Sequence, residues 1–158
     1  MQHTVGISQY KTASARGDVL VTYSLGSCIG LSLYDPEAGV GGLVHCMLPL
    51  SKLDPEKAKA APGMFVDTGV SALLRAMYDQ GAAQRRIVAK AAGAASLLDE
   101  NGVFRIGERN HTVLRKMLWK NNILIAAEDV GGSGARTMYL HIDSGRTVVR
   151  SGGREWDL

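Results

Sequence analysis

The chain has 158 residues, 46% hydrophobic and 21% charged, a balance that suits one globular domain spanning 1–158 with a buried core. Its 18 Lys and Arg exceed 15 Asp and Glu by a formal +3 and are spread along the sequence, so the charge argues against a nucleic-acid partner and suits an acidic protein partner equally well. No apolar run reaches the roughly 20 residues of a membrane span, and the first residues lack a signal-peptide pattern. The two cysteines are therefore expected to be reduced thiols in the cytoplasm.

In chain order, His3 is expected in a mobile terminus. Residues 19–25 are β-branched and apolar and read as a strand ending at Gly26-Ser27. Residues 28–35 alternate, with Ile29, Leu31 and Leu33 on one face and Cys28, Gly30, Ser32 and Tyr34 on the other. Turn chemistry at 35–39 and a second apolar run at 43–48 complete a hairpin. Residues 51–61, rich in Lys, Ala and Glu between Pro49 and Pro62, read as a solvated flap. Pro62 fits the first turn of a helix running to about Asp79, with Phe65, Val66, Val70, Leu73, Leu74 and Met77 as its apolar stripe.

Residues 87–95 form a strand or loop of small residues, followed by a polar turn at 99–102. A second helix is expected over 108–120, with Val113, Leu114, Met117 and Leu118 inward, and a strand over 123–127. Two last strands, 137–142 and 146–150, flank a turn at 143–145. Strands outnumber helices without strict alternation. The pattern predicts an α+β layered β-sandwich with helices packed on the outside, in preference to a doubly wound sheet.

The segment Thr22-Tyr23-Ser24-Leu25-Gly26-Ser27-Cys28, followed by Gly41-Gly42-Leu43-Val44-His45, carries the chemistry. A thiol near a base is equipped for acyl transfer, because the thiolate is the nucleophile and the imidazole can take its proton. On the predicted hairpin Cys28 and His45 are offset by two or three residues, about 7–10 Å along the strands. Gly41-Gly42 could form a bulge that re-aims His45, and Gly30 leaves room beside it. The amides of the Gly26-Ser27-Cys28 turn are candidate oxyanion donors, and the Thr22 hydroxyl is a candidate for orienting the imidazole.

The alternatives are a buried structural cysteine, a Cys28–Cys46 disulfide and a Cys28/His45/Cys46 metal site. The compartment argues against the disulfide. Strand parity sends His45 and Cys46 to opposite faces, which weakens the metal site.

Elsewhere, Gly131-Gly132-Ser133-Gly134 lacks the Lys-Ser/Thr of a phosphate loop and reads as a flexible turn. Ile106-Gly107-Glu108-Arg109-Asn110 reads as a helix start, with Glu108 on the dipole and Asn110 bonding locally, or else as a partner-binding surface. His111 and His141 read as surface or cross-strand residues.

Leu25-Gly26-Ser27-Cys28 and Gly41-Gly42-Leu43-Val44-His45-Cys46-Met47-Leu48-Pro49 are followed by Lys90–Ala95, Ile106–Asn110, Asp129-Val130-Gly131-Gly132 and Gly134-Ala135-Arg136. In that order the set resembles the CheD-type chemoreceptor glutamine deamidases over nearly the whole chain. The resemblance implies hydrolysis of selected glutamine side chains in methyl-accepting chemotaxis receptors, giving glutamate and ammonia. It implies Cys28 as nucleophile, His45 as general base and Thr22 as third catalytic position, with no metal or organic cofactor.

It further implies a fold related to bacterial toxin deamidases, and a CheC-type response-regulator phosphatase as partner of a chain monomeric by itself, with no membrane insertion. One departure concerns that partner surface: the family commonly has two glycines before Ala94, where this chain has Ala92-Gly93. The alternative function is a non-catalytic chemotaxis adaptor that binds receptors and the phosphatase. The enzyme reading predicts a Cys28 that alkylates well below pH 8.5.

Overall fold

The computed structural model describes residues 1–96 and 105–158, and the turn expected at 99–102 lies outside them. Among the described residues, strands gather into two five-stranded sheets. The first runs in the order β1 (Gln2–Thr4), β3 (Val19–Leu25), β8 (Arg136–His141), β9 (Thr147–Ser151), β10 (Arg154–Asp157). The second runs β2 (Tyr10–Ala13), β5 (Val40–Cys46), β4 (Ile29–Asp35), β6 (Val88–Gly93), β7 (Ile125–Val130). The pairings β1–β3 and β6–β7 are parallel and the rest antiparallel, so both sheets are mixed.

The helices are α1 (Pro55–Ala60), α2 (Val66–Asp79) and α3 (Ile106–Lys120). The alternation of β4 explains the layering. Ile29, Leu31 and Leu33, joined by Val44 and Cys46 of β5, pack against Val70, Leu73 and Met77 of α2 and Leu114 and Leu118 of α3. The opposite face joins Leu20, Leu25, Met138, Leu140 and Val149 between the sheets. Every residue of β4 and β5 is buried because each face has a partner layer. Burying each such Leu or Ile contributes about 1.5–3 kcal/mol. The fold is thus α+β and layered as expected, with α2 and α3 covering the outer face of the second sheet.

Gly41 and Gly42 make close approach possible on both sides of β5. A Cβ on Gly41 would stand 2.5 Å from Ile142 Cδ1 in the inter-sheet core, and one on Gly42 2.7 Å from Leu73 Cδ1 of α2. They do not form the expected bulge, since β4 and β5 pair without a register shift from Ile29↔Cys46 to Asp35↔Val40. The hairpin turn is locked by Asp35. Its carboxylate accepts from the Glu37, Ala38 and Ala83 amides at 2.9, 3.1 and 2.9 Å and from Arg86 Nε at 3.0 Å.

Several boundaries differ from expectation. The supposed flap contains α1, started by Pro55 and capped by Asp54, whose side chain accepts from Lys57 N at 3.2 Å. Pro62 opens a short 3₁₀ turn, and the long helix begins at Val66. The terminal hairpin continues through Gly152-Gly153, both at positive φ, into β10, so three strands close the chain instead of two. His3 lies in β1 against β3, with Nε2 3.2 Å from Asp18 Oδ2, and is no loose terminus. In each case local pattern was overridden by short segments too small to show a period of their own.

Candidate active site

The site is built where β3, β4 and β5 meet at one end of the inter-sheet layer. On β3 the regular pairing with β8 shifts between Thr22 and Leu25, and Ser24 takes a left-handed φ of 60°. This irregularity turns the chain out of the sheet into Gly26-Ser27-Cys28. The Cys28 carbonyl accepts from Ala94 N at 2.8 Å and the Gly26 carbonyl from Ala95 N at 2.8 Å, so the segment after β6 braces the turn from below. Cys28 itself is half-buried and packs against the inter-sheet core.

His45 is fully buried on β5, directly opposite Gly30 and two residues from Cys28, about 7 Å along the strand. Facing cross-strand partners project to the same side of a sheet, so His45 and Cys28 share a face. Gly30 does not leave an open space there, as its missing side chain is replaced by Leu25 Cδ1 and Met138 Sδ, each 3.0 Å from where a Cβ would stand. Cys46 points the other way, into the helix-covered core beside Gly69. Both cysteines are free thiols.

Thr22 reaches His45 across the gap between the sheets. Its hydroxyl is 2.7 Å from the Val5 carbonyl, which can only accept, and 2.7 Å from His45 Nδ1. The hydroxyl proton therefore goes to Val5, and Nδ1 must carry the proton it donates to Thr22. That tautomer leaves a lone pair on Nε2. Nε2 is buried and has no hydrogen-bond partner among the described residues. Burial holds the His45 pKa down at about 4.

The Cys28 thiol is pushed up by burial and drawn back in part by its own backbone N–H. The electrostatics therefore favour a neutral thiol beside a neutral imidazole in the free protein. Alkylation well below pH 8.5 is not the expectation they support, because burial outweighs the backbone N–H at the thiol and disfavours the imidazolium. Cys46, wholly enclosed, is raised much further.

Of the three turn amides, Gly26 N–H is already engaged with Ser24 O at 3.0 Å, which removes it as an oxyanion donor. Ser27 N–H and Cys28 N–H have no backbone acceptor among the described residues. Sequence reasoning missed the Val5 carbonyl, which no side-chain pattern can signal. It also missed Asn110, whose Nδ2 donates to Ser27 O at 2.9 Å and Met47 O at 3.0 Å from the first turns of α3. Asn110 is therefore part of the site's frame, in place of a local helix cap or a partner-binding surface. Arg136, buried beside β6, donates to Gly93 O and Gly131 O at 2.9 and 2.7 Å and ties the bracing segment to the glycine turn at 131–134.

A groove of 1020 Å³ between α2 and α3, lined in part by Asp67, Arg75, Lys116 and Trp119, includes none of Thr22, Cys28 and His45.

A thiol and an oriented neutral imidazole on one face, with open backbone amides at the thiol, make up the equipment of cofactor-free acyl transfer. The family model described as CheD chemotactic sensory transduction matches residues 47–151. A protein of Syntrophus aciditrophicus (strain SB) named "Probable chemoreceptor glutamine deamidase CheD 1" is 50% identical over 149 residues, 94% of this chain and 93% of that one. A Solibacter usitatus (strain Ellin6076) protein of the name "Probable chemoreceptor glutamine deamidase CheD" is 48% identical over 157 residues, 99% of this chain and 93% of that one. One from Thermococcus kodakarensis (strain ATCC BAA-918 / JCM 12380 / KOD1), with the same name, is 39% identical over 152 residues, 95% and 92% of the two chains. The chain belongs to the CheD family. The crystal structure of Bacillus licheniformis hypothetical protein YfiH aligns with a TM-score of 0.46 and 14% identity over 78% of this chain and 49% of that one, a likeness too slight to carry an argument.

Proposed function

We propose that the protein deamidates glutamine side chains of methyl-accepting chemotaxis receptors, with Cys28 as nucleophile and His45 as general base. The observation that carries the mechanism is the unpartnered Nε2 lone pair of a neutral imidazole whose other nitrogen is fixed by Thr22. The chemoreceptor substrate is supported by the names of the relatives.

As the carboxamide binds, the Cys28 S–H proton passes to His45 Nε2 while sulfur bonds to the amide carbon. The oxygen, now negative, is held by the Ser27 and Cys28 amides. The imidazolium returns its proton to the nitrogen, the C–N bond breaks and ammonia leaves a thioester. His45 then takes a proton from water as the water oxygen attacks the same carbon, the C–S bond breaks, and the imidazolium returns that proton to sulfur, releasing glutamate and the thiol. A resting pair of neutral groups suits this sequence, since every proton transfer occurs only with the substrate or its acyl group in place. The reading extends to kinship with toxin deamidases, to a CheC-type phosphatase as a second partner of a monomeric chain, and to action in the cytoplasm.

Cys28→Ala is expected to abolish conversion of glutamine to glutamate, because no other group at the site can form the thioester. Mass spectrometry of peptides from a receptor cytoplasmic domain, incubated with the wild type or the variant, reads the one-dalton change. Conversion by the alanine variant at the wild-type rate would overturn the assignment and favour the adaptor.

A further inference from the structure

We infer that Asn110 is a positioning residue that aims the Ser27–Cys28 peptide, with its N–H toward the oxygen of the carboxamide under attack. In a trans peptide the carbonyl of one residue and the N–H of the next point in opposite directions, so fixing one aims the other. Three successive carbonyls of the cysteine turn are fixed on its inner side: Gly26 O by Ala95 N, Ser27 O by Asn110 Nδ2 and Cys28 O by Ala94 N, at 2.8, 2.9 and 2.8 Å. The Ser27 and Cys28 amides must then face away from that side.

Two of the three anchors are backbone amides. Asn110 is the one side chain among them, and it acts on the peptide that ends at the nucleophile. Its second bond, to Met47 O, ties the same amide to the chain two residues beyond His45. One carboxamide thus spans the approaches to thiol and base. Both neighbours are carbonyl oxygens, so only the NH2 end can face them. Asn110 is fully buried, and its Oδ1 has no partner among the described residues. A buried acceptor without a partner destabilises a fold. An apolar residue would fill the same place without that penalty, which makes the two donated bonds the reason for an asparagine.

The inference rests on Cys28 being the nucleophile, and the test separates the two. Asn110→Asp keeps the volume and removes both donors when ionised. With a receptor cytoplasmic domain as substrate, kcat is expected to fall by about 10²-fold, as for loss of one oxyanion donor, with KM changed less than about threefold. Iodoacetamide builds no oxyanion, so its limiting rate with the Cys28 thiolate at high pH should stay within about threefold of wild type. The protonated carboxyl of the variant regains one donor, so the ratio of variant to wild-type kcat should climb as pH is lowered.

In the wild-type protein, a peptide carrying glutamine as its aldehyde forms a hemithioacetal with the thiol. The Cys28 amide proton should then move downfield in an NMR spectrum, a readout that survives even if the variant does not fold. Unchanged kcat in Asn110→Asp, an equal loss of limiting alkylation rate, or an unmoved Cys28 amide each overturns the inference. Activity persisting in Cys28→Ala sinks the thiol mechanism and this inference together. Activity persisting in Asn110→Asp alone sinks only the role given to Asn110.

Discussion

At the residue scale, a neutral hydroxyl does the work of orientation at this site, and the direction of its proton decides the outcome. Thr22 gives its proton to Val5 and accepts from His45 Nδ1, so the imidazole is fixed in the tautomer whose Nε2 can accept. A carboxylate in that place would hold an imidazolium more strongly and raise the pKa. Threonine leaves burial to keep it near 4. Thr22→Val matches the shape and deletes the hydroxyl, leaving Val5 O and Nδ1–H without partners. Its kcat is expected to fall by about 10²-fold, the low end of what a positioned general base contributes, with a stability loss of about 1–3 kcal/mol. Thr22→Ser retains the hydroxyl and should recover most of the activity. Steady-state deamidation with both variants checks this, and a serine variant as slow as the valine one would mean the methyl group, rather than the hydroxyl, is what matters.

At the element scale, α3 matters to the site through its first turns. Gly107 sits where an added Cβ would be 2.6 Å from both Ala94 O and Ala95 O, the backbone that braces the cysteine turn. Gly107→Ala must push that segment or the helix away, because neither obstacle is a flexible side-chain end. The expected cost is about 1–3 kcal/mol, read as a lower urea midpoint, together with reduced deamidation because Ala94 and Ala95 hold Cys28 O and Gly26 O.

These elements also mark how far sequence reasoning reaches. The β4–β5 hairpin and the separation of His45 from Cys46 were legible from strand period and turn residues, and the expected offset of two or three residues between Cys28 and His45 narrows to two in the structure. The long helices were legible from their apolar stripes. β1, β2 and β10 were not, since strands of three or four residues with exposed positions carry no period. The role of Asn110 is hidden for a different reason: its partners, Ser27 O and Met47 O, are 83 and 63 residues away and belong to backbone. The irregularity at Ser24 was hidden because serine gives no sign of a left-handed φ.

At the scale of the whole molecule, two buried titratable groups divide the acid response into separate windows. His45 has a folded pKa of about 4 against an ordinary 6.5. Between those values the unfolded chain binds a proton that the folded one refuses, so stability falls as pH drops from 6.5 to 4 and this contribution levels off below. The full effect is about 3.5 kcal/mol at most, by the conversion of one pKa unit to about 1.4 kcal/mol. Asp35 acts lower.

Burial alone would raise the Asp35 carboxyl. Arg86 and the amides of Ala83, Ala38 and Glu37 outweigh it and hold the group at about 2 against an ordinary 3.8. The stability it contributes is present above 3.8 and is lost as pH falls from there toward 2. Urea midpoints measured from pH 7.5 down to pH 3 should therefore decline in two stages. His45→Gln removes the first stage without touching Asp35, which lies at the far end of the hairpin turn. The variant's curve should be flatter than wild type from 6.5 to 4 and parallel to it below. Every other residue is common to both proteins and cancels in the difference. Equal slopes in the upper window would mean that the imidazole is not held neutral by burial, and the neutral-pair mechanism would lose its electrostatic basis.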